Sequence, residues 1–71
     1  MKSKSTSDLC MIMRAGGGVT VSAQQYSTSD LCMIARAGDA STVLVVTESD
    51  SKSTSDLCMI ARAKTGQVIF E

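Results

Sequence analysis

The residues of this chain that could do chemistry are three cysteines, three arginines and seven carboxylates; histidine is absent. Each cysteine is followed directly by a methionine and, four residues on, by an arginine: Cys10-Met11 with Arg14, Cys32-Met33 with Arg36, and Cys58-Met59 with Arg62. Thiolates and thioethers together form a soft donor set that suits copper(I). Within one chain that chemistry fails on distance. Neighbouring helices lie roughly 10 Å apart, whereas metal–sulfur bonds are about 2.3 Å long, so a metal needs ligands from several chains. The same spacing works against an intrachain disulfide, whose Cα atoms sit within about 7 Å of each other. An odd cysteine count leaves one thiol over in any pairing scheme. No acid adjoins a cysteine to activate it. The expectation is a chain that is not an enzyme and has no catalytic, cofactor-binding or metal-binding residue.

Two further patterns reduce to ordinary structure. Gly16-Gly17-Gly18 has the composition of a phosphate loop, but such loops run from a strand into a helix, and here the glycines follow a helix and precede a strand. Arg14, Arg36 and Arg62 form a row, yet aspartates balance them and no aromatic residues are interleaved, as expected of a solvated face. Seven basic residues against seven acidic ones leave a net charge of zero. That supplies no positive surplus for nucleic acid or an anionic membrane.

These side chains are set in a repeat. The segment Ser-Thr-Ser-Asp-Leu-Cys-Met-Ile-x-Arg-Ala occupies residues 5–15, 27–37 and 53–63, with Met13 where the later copies have Ala35 and Ala61. Residues 1–71 are therefore expected to form a single domain with repeats near 5–26, 27–52 and 53–71. Each segment predicts a short helix opened by a capping serine with an aspartate three residues on: Ser5 and Asp8, Ser27 and Asp30, Ser53 and Asp56. In that arrangement the hydroxyl takes up a free backbone N–H and the acid reaches back from the positive helix end. Gly16 and Gly38 stand where left-handed terminators belong. The third helix ends at Ala63-Lys64-Thr65-Gly66, with Lys64 near the negative helix end. β-branched runs at Val19–Val21, Thr42–Thr47 and Gln67–Phe70 predict strands, with Ser22–Tyr26 a compact link and Glu48–Lys52 a polar turn. The fold class is α/β: three tandem helix–strand repeats forming a small parallel sheet with right-handed crossovers and helices on one face.

Helical spacing places Leu31, Ile34 and Ala35 on one stripe against the sheet, and likewise in the other copies. Met13 is expected to fill space at the end of the stack. Ser29, Met33 and Arg36 point outward with Cys32 on a flank. The methionines then form an exposed row with the cysteines in a row beside them, an adaptable apolar surface of the kind that binds proteins. The nine Cys, Met and Arg residues named above are the candidate interface. The helical segments are nearly identical while strands and loops diverge, which a core alone does not require. A repeated surface, selected or engineered, accounts for it, and engineering fits the near identity better. Val43–Val46 and Val68–Phe70 are apolar at consecutive positions, so both faces of those strands are apolar, and outer strands offer edges to another chain.

Val19-Thr20-Val21-Ser22-Ala23-Gln24-Gln25-Tyr26 resembles the L-x-L-x-x-N-x-L strand segment of leucine-rich-repeat proteins, with Gln24 at the asparagine position. The repeat spacings of 22 and 26 residues also resemble that family's. The resemblance implies a stacked α/β architecture and a protein-binding role; it implies no catalytic residue.

A chain of this length buries only about 60% of its unfolded surface, and oligomerisation is a common remedy. No apolar leader follows Met1–Lys4 and no apolar run is long enough to span a bilayer. A cytoplasmic chain with reduced thiols is expected. The expected function is a structural module that associates with itself as a homo-oligomer. A leucine-rich-repeat-like protein-binding module is the alternative, and an interchain thiolate metal site ranks third.

Overall fold

A serine hydroxyl opens each of the three α-helices. The computed structural model describes residues 4–64 and 66–71. In it Ser5, Ser27 and Ser53 are extended, and their Oγ atoms accept the N–H groups of Asp8, Asp30 and Asp56 at 3.2, 3.1 and 3.2 Å. Each cap satisfies one of the free donors at a helix start and holds an aspartate at the positive end. The helices that follow are α1 (Thr6–Arg14), α2 (Thr28–Ala37) and α3 (Thr54–Ala63).

Their ends differ. Gly16 is left-handed at φ 95° and donates to the carbonyl of Met13 at 3.1 Å, while Gly17 donates to that of Ile12 at 3.0 Å. These are the paired bonds of a Schellman stop. Gly38 departs from expectation, being extended at φ −84° and ψ 167°. Space is the reason for a glycine there: a Cβ would run first into the buried Thr42 Oγ1 and then come within 2.7 Å of the terminal methyl carbon of Met13. The stop of α3 begins at Lys64, and Thr65 lies outside the described residues. Lys64 does not serve its own helix end. Its buried ammonium donates to the Asp39 carbonyl at 2.6 Å and to Thr42 Oγ1 at 2.9 Å, tying α3 to the turn that follows α2. In that turn the Ser41 hydroxyl and N–H both donate to the Asp39 carboxylate, at 2.7 and 2.9 Å. Those two bonds, the hydroxyl's foremost, hold the carboxyl below its ordinary range.

Strands β1 (Val19–Ser22), β2 (Val43–Thr47) and β3 (Gln67–Phe70) pair in parallel with β2 central. The order is helix–strand three times over, an α/β fold with a small parallel sheet. β1 runs one residue longer than expected. β2 starts one residue later, because the buried Thr42 hydroxyl is turned back onto the Asp39 carbonyl at 3.0 Å. Register aligns Val19 with Leu44 and Val68, and Val21 with Val46 and Phe70; this face packs under the helices. Thr20, Val45 and Ile69 align across the opposite face. Between β2 and α3 the expected polar turn is one turn of 3-10 helix, Ser49–Ser51, entered through Glu48 at φ 55°. Ser22 Oγ donates to the Glu48 carboxylate. The Ser49 N–H and hydroxyl donate to the Glu71 carbonyl at 3.1 and 2.9 Å, and the Glu71 N–H donates to that of Val46 at 2.8 Å.

The three repeats are not buried alike. Leu9 and Leu31 are fully buried but Leu57 only half; Ile34 and Ile60 are buried but Ile12 only half. Ala35 is buried and Ala61 is exposed. The expected apolar stripe is sealed in full only on α2, which has a helix on each flank. Met13 likewise departs from expectation. It is buried with its methyl at Gly38, in the seam between α1 and α2 rather than at the outer end of the stack.

Two predictions follow from this packing. Leu31→Ala leaves a closed cavity and should cost roughly 2–5 kcal/mol in denaturant titrations, whereas Leu57→Ala, the same change at a half-open site, should cost clearly less. Asp39 has a depressed folded-state pKa, so its contribution to stability is complete above the ordinary aspartate value and is lost as pH falls through the folded one. Asp39→Asn should therefore flatten the acid limb of the stability–pH curve.

Candidate functional surface

The repeated spacing of Cys, Met and Arg puts the methionines and arginines on the outer side of the helix layer, with the cysteines on the flanks. Met11, Met33 and Met59 are 62%, 51% and 51% exposed, and Arg14, Arg36 and Arg62 are exposed beside them. The cysteines depart from the expected parallel row. Cys10 and Cys32 are buried, and only Cys58 is exposed. The reason is angular: each cysteine lies about 100° round the helix from its leucine, pointing at the next helix in sequence. That flank is closed for α1 and α2 and open for α3.

Two shallow grooves result. The first, about 470 Å³, is lined by Cys32, Arg36, Met59, Arg62 and Ala63. The second, about 290 Å³, is lined by Cys10, Arg14, Met33, Arg36 and Ala37. Position for position these are the same site, with a cysteine and arginine from one helix facing a methionine, arginine and alanine from the next. Of the expected interface, the two grooves gather every member except Met11 and Cys58. Cys58 instead lines a third depression of about 320 Å³ on the open flank of α3, with Thr54, Ser55, Met59 and Arg62. The capping residues sit at the helix starts, outside the two grooves. Ala37 and Ala63, which are outside the expected interface, form part of one wall of each groove. Their signal was their place one residue after the arginine, where a larger side chain would close the gap.

The chemistry on offer is limited. Each groove is an open trough with an apolar base and a guanidinium rim. Every buried side-chain nitrogen and oxygen among the described residues has a hydrogen-bond partner. No group of three or more His, Cys, Asp or Glu among the described residues is placed to hold a metal ion. No helix of the described residues is long and apolar enough to cross a membrane.

The sheet provides a second surface. Its helix-free face carries Thr20, Ser22, Val43, Val45, Thr47, Gln67 and Ile69. None of these is charged. Val43 and Val45 are half-buried and Ile69 is 37% exposed. Comparison with protein-family models, curated proteins and solved structures finds no match to this chain.

The cysteines give a direct check on this geometry. In dilute solution Cys58 should be alkylated far faster than Cys10 or Cys32, because attack requires access to the sulfur. Peptide mapping after brief iodoacetamide treatment reads the order, and equal rates in the native protein would contradict the seam assignment.

Proposed function

We propose that this chain is a non-catalytic structural module that associates with copies of itself. The observation that carries the reading is the helix-free sheet face. All-parallel sheets are ordinarily covered on both faces. This one presents a largely β-branched surface centred on Val45, with Ile69 and Thr20 as its register partners and the Glu48 carboxylate at its Ser22 edge. A net charge of zero adds no repulsion between copies. The row of exposed methionines supplies a second apolar surface on the other side of the layer. Near-identical helices suit a module selected or built for assembly.

A second reading is a binding module of the leucine-rich-repeat kind that takes a different protein on the same sheet face. Gln67 favours it, an exposed amide on that face where a self-packed sheet would carry an apolar side chain; the Ser22 and Thr47 hydroxyls beside it already donate to the Glu48 carboxylate and the Val21 carbonyl.

Mass in solution separates the two. The parent should exceed one chain at micromolar concentration. Val45→Lys combined with Ile69→Lys should reduce the sheet-mediated part of that mass with circular dichroism unchanged. Met11→Glu, Met33→Glu and Met59→Glu together measure the helix-side part. A parent that sediments as a single chain throughout defeats self-association and leaves the heterologous reading.

A further inference from the structure

The two flanks of the stack are complementary to each other. Inside the chain, the flank of α2 that meets α3 carries Leu31, Cys32 and Ala35, and the flank of α3 that meets α2 carries Ile60 and Ala63. The seam between α1 and α2 repeats the arrangement, with Leu9, Cys10 and Met13 facing Ile34 and Ala37. Cys32 shares a groove with Ala63, and Cys10 shares one with Ala37. On the open flank of α3 the same positions are Leu57, half-buried, and Cys58 and Ala61, both exposed. On the open flank of α1 the facing positions are Ile12, half-buried, and Ala15, exposed. Each flank lacks what the other presents.

We propose that copies of this chain stack head to tail, the α3–β3 flank of one docking on the α1–β1 flank of the next. The contact repeats between molecules the seam that already joins α1 to α2 and α2 to α3. It rests on the self-association reading and specifies a surface distinct from the sheet face. Three features converge on a second copy as the occupant. Burial is the first: Cys32 and Ala35 are sealed by a following helix, and Ile34 and Ile60 by a preceding one, so a docked copy seals Cys58, Ala61 and Ile12 in the same way.

The sheet supplies the second. β1 and β3 are its edge strands, and the internal register sets Val19 beside Leu44 and Leu44 beside Val68. Continued across the junction, that pattern sets Val68 beside Val19 of the second copy and Phe70 beside Val21 of the second copy, in one parallel sheet. Edge strands are the usual site of such recruitment. The third is the depression formed by Cys58, Met59 and Arg62, which has the first wall of a seam groove. Its second wall, a methionine, an arginine and an alanine in both internal grooves, is supplied by Met11, Arg14 and Ala15 of the second copy. The contact joins unlike faces, so it is open-ended and generates a filament or a ring.

Alkylation of Cys58 as a function of protein concentration tests the contact specifically, because pairing through the helix-free sheet face leaves Cys58 open. In the concentrated parent the Cys58 rate should fall toward that of Cys32. Ala15→Glu, on the opposite flank and exposed in the single chain, should restore fast reaction at every concentration. Adding chains that carry Ala61→Glu, blocked only on the α3 flank, should slow Cys58 of the Ala15→Glu chain again, in a one-to-one complex. Slow reaction of Cys10 and Cys32 throughout reports that each variant is folded, and the parent series stands as a test without them. A Cys58 rate independent of concentration in an oligomeric parent overturns stacking and leaves self-association standing. A monomeric parent overturns both. Protection that persists in Ala15→Glu alone means two like α3 flanks have met, which also overturns it.

Discussion

Every helix in this protein has two apolar flanks, and one sheet beneath cannot seal them. That constraint organises the molecule. A helix of this sequence buries its leucine downward on the strands, but its isoleucine and its cysteine lie on opposite sides of that contact, each needing a neighbouring helix. Only α2 has both. Its Leu31, Cys32, Ile34 and Ala35 are all buried, whereas of the matching residues on α3 only Ile60 is buried, with Leu57 half-buried and Cys58 and Ala61 exposed. Repeat architectures share this property, since a unit that cannot bury its own surface depends on the next one along.

The sheet restates the same limit in the perpendicular direction. Helices cover one face, where Leu44 and Val46 are fully buried, and leave the other with half-buried Val43 and Val45. The molecule is thus finished at its turns rather than at its surfaces. The buried Lys64 ammonium, the Ser49 hydroxyl and the Tyr26 hydroxyl, which donates to the Lys4 carbonyl at 2.7 Å, each tie a loop to a segment more than twenty residues distant in sequence. Such long-range polar bonds fix the relative placement of elements that aliphatic packing alone would leave free to slide.

Much of this was legible in the residues. Caps, helices, strands and their alternation follow from local chemistry, because Ser-x-x-Asp and β-branched runs act over a few positions. What escaped was pairwise. Helical angle places a cysteine on a flank, in a row beside the exposed methionines, but does not say whether a neighbour closes that flank, as one does for Cys10 and Cys32. Gly38 stands where a left-handed stop belongs, but its requirement is room beside Thr42 Oγ1 and the Met13 methyl. Lys64 looked like a helix-end charge and is instead a clasp onto Asp39 and Thr42. The cysteines and Lys64 answer to partners more than twenty residues away, beyond the reach of periodicity or propensity.

The near identity of the three helices also bears on how the chain finds its native arrangement. Helices α2 and α3 share every residue, so their own sequences hold no record of which belongs in the middle. That information sits in the parts that differ: Met13 seated against Gly38, Lys64 reaching back to the Asp39 carbonyl, Glu48 turning left-handed before Ser49. An arrangement with the two helices exchanged would keep the aliphatic contacts and forfeit these anchors. What tells the two identical helices apart is therefore what adjoins them, the strands and loops they connect and the anchors set in those loops, and not the aliphatic side chains the helices share.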